Sequence, residues 1–261
     1  MGRLEGKVAL VIGGGAEGPA GAGEELAIGN GRAAALQIAR EGAAVLVADR
    51  APAAAEETAA AIRAAGGRAE AVACDVAEEE QCRAAAAAAV RAFGGLQLLV
   101  DNVGIADLGT VADTSAEEFD RVQAVNVRGH FLAIKHALPA LEKSGGGAIV
   151  TVSSINALRV GAGVGYETSK AALLALTRNV AVASAARGVR ANTVLPGVID
   201  STMLRRFAPP EVIAGFAAKV PLGRVGTPWD VARAIVFLLS DDAAYVTGTE
   251  LVVDGGLSAP M

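Results

Sequence analysis

The stretch K-V-A-L-V-I at 7–12, followed at once by G-G-G at 13–15, decides the fold. After its first residue the stretch is apolar throughout, without the polar alternation of a strand that faces water on one side. A continuous apolar run of this length is typical of a strand in a parallel sheet covered by helices on both faces. In such sheets ligands bind beyond the carboxyl ends of the strands, where the glycines lie here.

Six further runs of the same kind follow along the chain. They lie at 44–49, 69–74, 96–100, 148–152, 190–195 and 250–254. The Ala-rich segments between them suit the crossover helices that parallel strands require. We therefore predict an α/β fold: one doubly wound domain over 1–261, with a mostly parallel seven-stranded sheet flanked by helices.

Composition excludes several classes of protein. The 261 residues carry a net charge of −5 without a run of like charges, which argues against a nucleic-acid partner. The sequence has no wholly apolar stretch of 18 or more residues, so a membrane protein is not expected. It also has no signal-peptide core, so export is not expected. Cys74 and Cys82 have neither zinc spacing nor a disulfide framework. We expect a cytoplasmic protein without a metal.

The glycine-rich turn after the first strand is unusually long. Residues 13–18 match G-x-G-x-x-G, but the proline and glycines at 19–23 oppose a helix there, and helical sequence resumes only at 32–40. We therefore divide a diphosphate site between Gly13 to Gly15 and Gly29-Asn30-Gly31, whose N–H groups favour an anion. The insertion at 16–28 carries three acids and is expected to bulge outward at the rim of the site. A flexible turn without a ligand is the alternative.

Acidic residues end the second and third predicted strands. Asp49, followed by Arg50, would accept hydrogen bonds from the hydroxyls of an adenosine ribose and repel a 2′-phosphate, which favours NAD over NADP. Asp75 is placed to contact the adenine, although an Asp at this point also suits a turn.

Tyr166 and Lys170 lie four residues apart and so share one face of a predicted helix. At ~4 Å and an effective dielectric constant near 20, the ammonium would favour the phenolate by about 4 kcal/mol, or roughly three pKa units. A phenol shifted in this way can exchange a proton with an alcohol or ketone. Ser153 and Ser154, at the end of the fifth strand, offer a hydroxyl that can hold the same oxygen.

The chain resembles the short-chain dehydrogenase/reductase family nearly from end to end. The motifs that carry the resemblance are G-N-G-R-A-A-A (29–35), D-N-V-G (101–104), N-V-R-G (126–129), S-S-I-N (153–156), Y-E-T-S-K (166–170), N-T-V-L-P-G-V-I (192–199), P-L-G-R-V-G-T-P-W-D-V-A (221–232) and V-T-G-T-E-L-V-V-D-G-G (246–256). The resemblance implies a Rossmann-type domain, NAD as cofactor, a homotetramer, and a tetrad of Asn126, Ser154, Tyr166 and Lys170. Asn126 would hold a water that connects Lys170 to solvent.

The resemblance also assigns the cofactor contacts. Tyr166 and Lys170 would contact the nicotinamide end, and Lys170 its ribose. The other residues expected to line the cofactor are Asp75, Val76, Asn102, Gly104, Pro196, Gly197, Ile199 and Ser201. A small substrate lid is expected near 201–220, where Arg205 or Arg206 would grip a substrate carboxylate or act as solvated charges.

The chain departs from the family pattern at several points. The usual N-N-A-G is D-N-V-G here, with Asp101 at its first position, and the long insertion at 16–28 is unusual. The loop from serine to tyrosine is one residue short when Ser154 is aligned, which keeps Ser153 as an alternative. His130 and His136 match no catalytic position and are interpreted as ordinary helix residues.

The function predicted from these residues is NAD-dependent hydride transfer between a secondary alcohol and a ketone, with a tyrosine as general acid and base. A non-catalytic NAD-sensing regulator on the same fold is the alternative. A lyase or epimerase is a third possibility.

Overall fold

Seven parallel strands form one sheet in the computed structural model, which describes residues 2–18, 20 and 26–259. The strands are β1 (Val8–Ile12), β2 (Ala44–Asp49), β3 (Ala69–Ala73), β4 (Leu98–Asp101), β5 (Gly147–Val152), β6 (Val189–Pro196) and β7 (Glu250–Val253). Their order in the sheet is β3-β2-β1-β4-β5-β6-β7. The predicted doubly wound sheet is confirmed, and each predicted strand lies within two residues of the observed one. The order reverses between β1 and β4, which is where such folds bind ligands.

Helices cover both faces of the sheet. They are α1 (Asn30–Arg40), α2 (Pro52–Ala64), α3 (Glu79–Phe93), α4 (Ala116–Gln123), α5 (Gly129–Lys143), α6 (Val164–Ser184), α7 (Thr202–Arg205), α8 (Pro210–Gly215) and α9 (Pro228–Leu239). In β1, Ala9 and Val11 pack with α1, α2 and α9, whereas Leu10 and Ile12 pack on the opposite side with α3 and α5. Alternate residues of a strand point to opposite faces, so an all-apolar strand is buried twice, as the sequence predicted.

A buried arginine joins the start of α1 to α2 and to the end of the insertion. The Arg32 guanidinium is fully buried and donates to the carbonyl oxygens of Ala27 (2.8 Å) and Ala54 (3.1 Å) and to the Thr58 hydroxyl (2.8 Å). Thr58 in turn donates to the carbonyl of Gly14 at 2.9 Å. Because a buried charge needs several partners, these bonds fix the positions of all three segments relative to one another.

Both ends of the insertion contact other elements. Ile28 is buried against Ala33 and Ala232, while Glu17 lies 3.8 Å from the guanidinium of Arg206, just beyond α7. Residues 19 and 21–25, six of the thirteen residues of the predicted outward bulge, lie outside the described residues, and they include two of its three acids.

Among residues 2–18, 20 and 26–259, helices of the length and apolar character needed to span a bilayer are not found. Within the same ranges, His, Cys, Asp and Glu side chains do not cluster in groups of three or more that could hold a metal ion.

Candidate active site

The first turn of α1 lies against the carboxyl end of β1 and forms a candidate anion-binding corner. The expectation that the N–H groups of Gly13 to Gly15 bind the phosphates is wrong for this structure, because they donate to Ala48 and Asp49. Helix α1 begins at Asn30 after Gly29, whose extended backbone carries no capping side chain, and the first turn N-G-R-A contains no acid. The first N–H groups of a helix have no partners within the helix and carry a partial positive charge. Gly13, with φ of +74°, turns the chain away from β1 in a conformation that favours glycine. This corner therefore suits a phosphate.

Two polar groups at the same corner support this fit. The Asn102 side chain donates to the carbonyl oxygen of Gly13 at 3.1 Å and so fixes the turn against β4. The side-chain oxygen of Asn30 is buried and accepts no hydrogen bond from the described residues. A buried acceptor without a donor is costly, and a ribose hydroxyl of a bound nucleotide, rather than a phosphate oxygen, would satisfy it. The residues present therefore fit a dinucleotide.

The carboxylate of Asp49, at the end of β2, is attached to the glycine turn. One oxygen accepts from the backbone N–H of Gly15 at 2.9 Å, and the other accepts from that of Ala51 at 3.0 Å. This placement leaves further lone pairs to accept bonds from hydroxyl groups of a ligand. The predicted ribose-binding acid therefore also holds the glycine turn.

A cleft of about 460 Å³ runs along the carboxyl edge of the sheet. It brings together most of the predicted cofactor residues, namely Gly13, Gly15, Gly29, Asn30, Gly31, Asp49, Arg50, Asp75, Val76, Asn102, Gly104, Tyr166, Lys170 and Ser201. Three predicted contacts do not line it. Gly197 packs against Asp254, Ile199 is buried and pairs with Gly226, and Pro196 is buried at the end of β6. Their role in cofactor binding stays a prediction.

Tyr166 and Lys170 lie in the first two turns of α6 and share one face, as their spacing predicts. The Lys170 ammonium is 5.6 Å from the centre of the Tyr166 ring and donates to the carbonyl of Val152 at 2.9 Å. Gly104 lies across from it, where an added methyl carbon would stand only 3.1 Å from the ammonium nitrogen. A lysine held in this way has little freedom to turn.

The expected fall in the pKa of Tyr166 is wrong for this structure. Removal of the phenol from water raises its pKa, and a hydrogen bond with Ser154 only partly opposes the rise. Burial likewise lowers the pKa of Lys170 to about 8, against the attraction of Asp101. The estimate from sequence assumed a charge at ~4 Å in a medium of moderate dielectric constant, and it omitted the cost of desolvating the phenolate.

The two candidate serines differ in their partners. Ser153 donates its hydroxyl to the backbone carbonyl of Lys170 at 2.7 Å, which occupies its only proton. Ser154 accepts from the N–H of Asn156 at 3.1 Å and shares a hydrogen bond with Tyr166. Ser154 is thus the serine that pairs with the tyrosine, although Ser153 and not Ser154 is among the residues that line the cleft.

Asn126 lies in a π-helical turn between α4 and α5 and is fully buried. Its side-chain nitrogen donates to the Ile105 carbonyl (2.8 Å) and the Ser169 hydroxyl (2.9 Å), and its oxygen accepts from the Ile105 N–H (2.9 Å). The side chain therefore anchors the loop after β4. A water in the predicted proton relay would have to bind to the backbone of Asn126 instead of its side chain.

Two arrangements near the site were not predicted from the sequence. The buried carboxylate of Asp107 accepts from the backbone N–H groups of Gly165 (3.0 Å) and Tyr166 (2.7 Å) at the start of α6. Asp101 and His130 form a fully buried pair, with 3.4 Å between a carboxylate oxygen and Nδ1. The Asp in D-N-V-G was the only sequence signal for this pair.

The expected lid consists of α7, α8 and a short 3-10 turn at Phe216–Lys219. Its two arginines are engaged with the protein itself. Arg205 pairs with Asp200 at 2.7 Å, and Arg206 lies near Glu17 and borders the cleft. Of the two, Arg206 is therefore the one placed to meet a ligand.

Known proteins resemble the chain over nearly its whole length. A family model described as enoyl-(acyl carrier protein) reductase matches residues 21–258. The 2,5-dichloro-2,5-cyclohexadiene-1,4-diol dehydrogenase of Sphingobium indicum is 40% identical over 98% of each chain. The cyclopentanol dehydrogenase of a Comamonas species is 38% identical over 99% of this chain and 100% of its own.

Among solved structures, one from Burkholderia xenovorans described as a putative short-chain dehydrogenase/reductase superposes with a TM-score of 0.92 at 39% identity over 100% of both chains. The cleft, the Tyr-Lys helix and these likenesses agree with one another. The chain belongs to the short-chain dehydrogenase/reductase family.

Proposed function

We propose that the protein is an NAD-dependent dehydrogenase that interconverts a secondary alcohol and a ketone. One observation carries the proposal: the Tyr166 phenol, bonded to Ser154 and beside Lys170, borders the same cleft as the glycine turn. An alcohol can be oxidised there because a proton acceptor and a dinucleotide site share one space. When bound, the nicotinamide supplies the hydride acceptor and a positive charge near the phenol.

Each residue of the tetrad has a distinct task in this proposal. Tyr166 takes the alcohol proton or returns one to the ketone, and Ser154 holds the same oxygen in line with the phenol. Lys170 holds a positive charge near the phenol and binds the ribose next to the nicotinamide. Asn126 fixes the loop over the lysine and supports the path of the proton to solvent. The raised pKa of Tyr166 keeps the phenol protonated until a cofactor charge arrives.

The choice of NAD over NADP rests on Asp49. Its carboxylate borders the cleft while its two oxygens accept bonds from Gly15 and Ala51. A 2′-phosphate at this point would meet a fixed negative charge, and like charges in contact are costly. The free ribose hydroxyls would instead donate to that charge.

The substrate class proposed is a small cyclic secondary alcohol or its ketone. The two relatives described above are named for a cyclohexadiene diol and for cyclopentanol. In this chain, α7, α8 and the 3-10 turn after them would act as the lid over that substrate. The same relatives are named dehydrogenases, which leaves the alternative of an NAD-sensing regulator without support.

We also propose a homotetramer. Val182 on α6 and Tyr245 before β7 are apolar or aromatic and strongly exposed in the single chain, at 82% and 104% of full exposure. Exposed side chains of this size favour burial in an interface between subunits. The mass in solution, measured by light scattering, tests this.

The decisive experiment compares two tyrosine variants. Tyr166→Phe removes the phenolic proton and should reduce kcat by roughly 10²–10⁴-fold while NAD still binds, because general acid–base groups contribute that much. Tyr245→Phe alters the other tyrosine of the chain, which does not border the cleft, and it keeps the ring available to the proposed interface, so kcat should be unchanged. NADH formation from a panel of cyclic secondary alcohols is the measurement. A Tyr166→Phe variant with more than about a tenth of the wild-type rate would show that the tyrosine is not the general base.

A further inference from the structure

Asp101 and His130 lie together in the interior, next to the active site. Asp101 is the last residue of β4, His130 lies in the first turn of α5, and both side chains are completely buried. One carboxylate oxygen of Asp101 is 3.4 Å from Nδ1 of His130. Neither carboxylate oxygen accepts a hydrogen bond of normal geometry from the described residues. The backbone N–H of Val103 interacts with the carboxylate, but without the geometry of a normal hydrogen bond. A buried carboxylate with so weak a donor is costly, so the pair requires another explanation.

The tautomer of His130 supplies it. Nε2 lies 2.8 Å from the carbonyl oxygen of Val103, and a carbonyl can only accept, so Nε2 carries a proton. In a neutral ring, Nδ1 is then an acceptor that faces a second acceptor, the carboxylate of Asp101. Two facing acceptors repel each other unless one proton lies between them. That proton belongs either to a carboxylic acid or to an imidazolium.

Burial decides how many protons the pair holds. The proton on Nε2 is not counted here. Two further protons would leave the pair with a buried positive charge and none would leave it with a buried negative charge, whereas one further proton leaves the pair neutral. Burial raises the pKa of Asp101 to about 7, against the attraction of Lys170, and burial lowers the pKa of His130 to about 3. Below about pH 7 the single proton therefore resides on the carboxyl group of Asp101 and points at Nδ1.

Only a few residues separate the pair from the active site. Three residues beyond Asp101, Gly104 lies against the ammonium of Lys170, and Val103 and Gly104 both border the cleft. The charges of Asp101 and Lys170 each shift the pKa of the other group. We propose that Asp101 and His130 are positioning residues that share one buried proton, and that release of this proton places a negative charge near Lys170, the neighbour of Tyr166. This inference rests on the proposed function of those two residues.

Other ionisable groups around the pair do not take over this role. The thiols of Cys74 and Cys82 are buried nearby, and the hydrogen bond with Cys82 together with burial raises the pKa of the Cys74 thiol. Asp75 is partly exposed and Arg128 is exposed, so solvent screens their charges. Lys170 is the only buried cation among the groups that act on Asp101 within the described residues.

The test begins with imidazole NMR, which needs no turnover. The chain has two histidines, and His136, which bonds to Glu79 at 3.0 Å, gives the second signal as an internal reference. We expect His130 to remain the neutral Nε2–H tautomer, and its Nδ1 signal to move near pH 7 as Asp101 loses its proton. In Asp101→Asn this step should disappear, because the amide cannot ionise but still donates to Nδ1. A protonated His130 ring at pH 6, or an Nδ1 signal that does not move between pH 5 and 9, would overturn the proposal, even if the variant failed to fold.

The second measurement is the pH profile of kcat/KM. Above about pH 7 the wild type carries the negative charge of Asp101 and Asp101→Asn does not. Loss of a negative charge lowers the pKa of neighbouring groups, so the alkaline limb of the Asp101→Asn profile should move to lower pH by about one unit, while the acid limb stays in place because Asp101 is neutral there. A residue with a merely structural role would alter the height of the profile and leave both limbs in place, and that result would also overturn the proposal. If Tyr166→Phe kept its activity, the proposed function would fail while the NMR result on the pair would still stand.

Discussion

Gly31 lies so close to Gly13 that a methyl carbon added to it would stand 1.9 Å from the carbonyl oxygen of Gly13 and 2.6 Å from the side-chain nitrogen of Asn102. Here the first turn of α1 touches the end of β1, at the point where the order of strands reverses. A backbone contact this close leaves no room for any side chain, so the requirement for glycine is steric.

Gly31→Ala tests whether this contact builds the cofactor site. The methyl group must separate α1 from β1, so we expect at least a tenfold rise in the Kd for NAD and a loss of stability of roughly 1–3 kcal/mol. Gly215→Ala is the control, because a carbon added at the end of α8 meets nothing within 4 Å. Calorimetric titration with NAD and thermal unfolding give the two numbers. Unchanged affinity in Gly31→Ala would place the diphosphate elsewhere.

Replacement of Asp49 separates its charge from its hydrogen bonds. Asp49→Asn removes the charge and keeps an acceptor for one of the two N–H groups, so it should weaken the discrimination against NADP and disturb the glycine turn less than Asp49→Ala does. Asp49→Ala also releases the glycine turn and should in addition weaken the binding of both cofactors. The readout is the ratio of kcat/KM for NAD and NADP in the two variants and the wild type. Equal use of the two cofactors by the wild type would contradict our assignment.

Asp107 should matter for catalysis although it does not touch the reacting groups. Asp107→Ala leaves the N–H groups of Gly165 and Tyr166 without their acceptor, which should cost about 1–2 kcal/mol, as loss of a helix cap does, and reduce kcat roughly tenfold. Asp113→Ala, which removes an exposed acid that bonds to Thr110 in the same loop, serves as the control. The idea fails if both variants have wild-type kcat.

The capping box of α9 gives a prediction about pH. Asp230 accepts from the N–H of Thr227 at 2.8 Å, and its bond with Arg224 is the main cause that lowers its pKa to about 2. The folded-state pKa of Asp230 lies below the unfolded value of about 3.9. The ionised carboxylate therefore stabilises the folded protein above pH 4, and this contribution is lost as the pH falls towards 2. Asp230→Asn should therefore lower Tm at pH 7 and differ less from the wild type at pH 3. Asp120→Asn, an exposed change on α4, should show neither effect.

The local sequence pattern was sufficient to predict the sheet and the place of many residues of the candidate site. Strands such as β1 are continuous apolar runs, and the spacing of Tyr166 and Lys170 placed them on one helix face. Contacts between distant segments were not readable: Asp107 caps a residue 59 positions away, which only the approach of the loop after β4 to α6 reveals. The predicted fall in the pKa of Tyr166 was wrong for a related reason. The spacing of two residues indicates that a charge lies near the phenol, but it does not reveal how much solvent the phenol loses on burial.

The bonds made by Arg32 bear on how far the length of the insertion can change. Arg32 donates to the carbonyl of Ala27, which fixes the last residues of the insertion and the path into α1, and Thr58 holds the carbonyl of Gly14 before the insertion begins. The number of residues between these two anchors can therefore change without moving the helix terminus. Evolution can lengthen, shorten or replace that stretch at small cost, and a protein engineer can use it as a graft point for a recognition peptide beside the cleft.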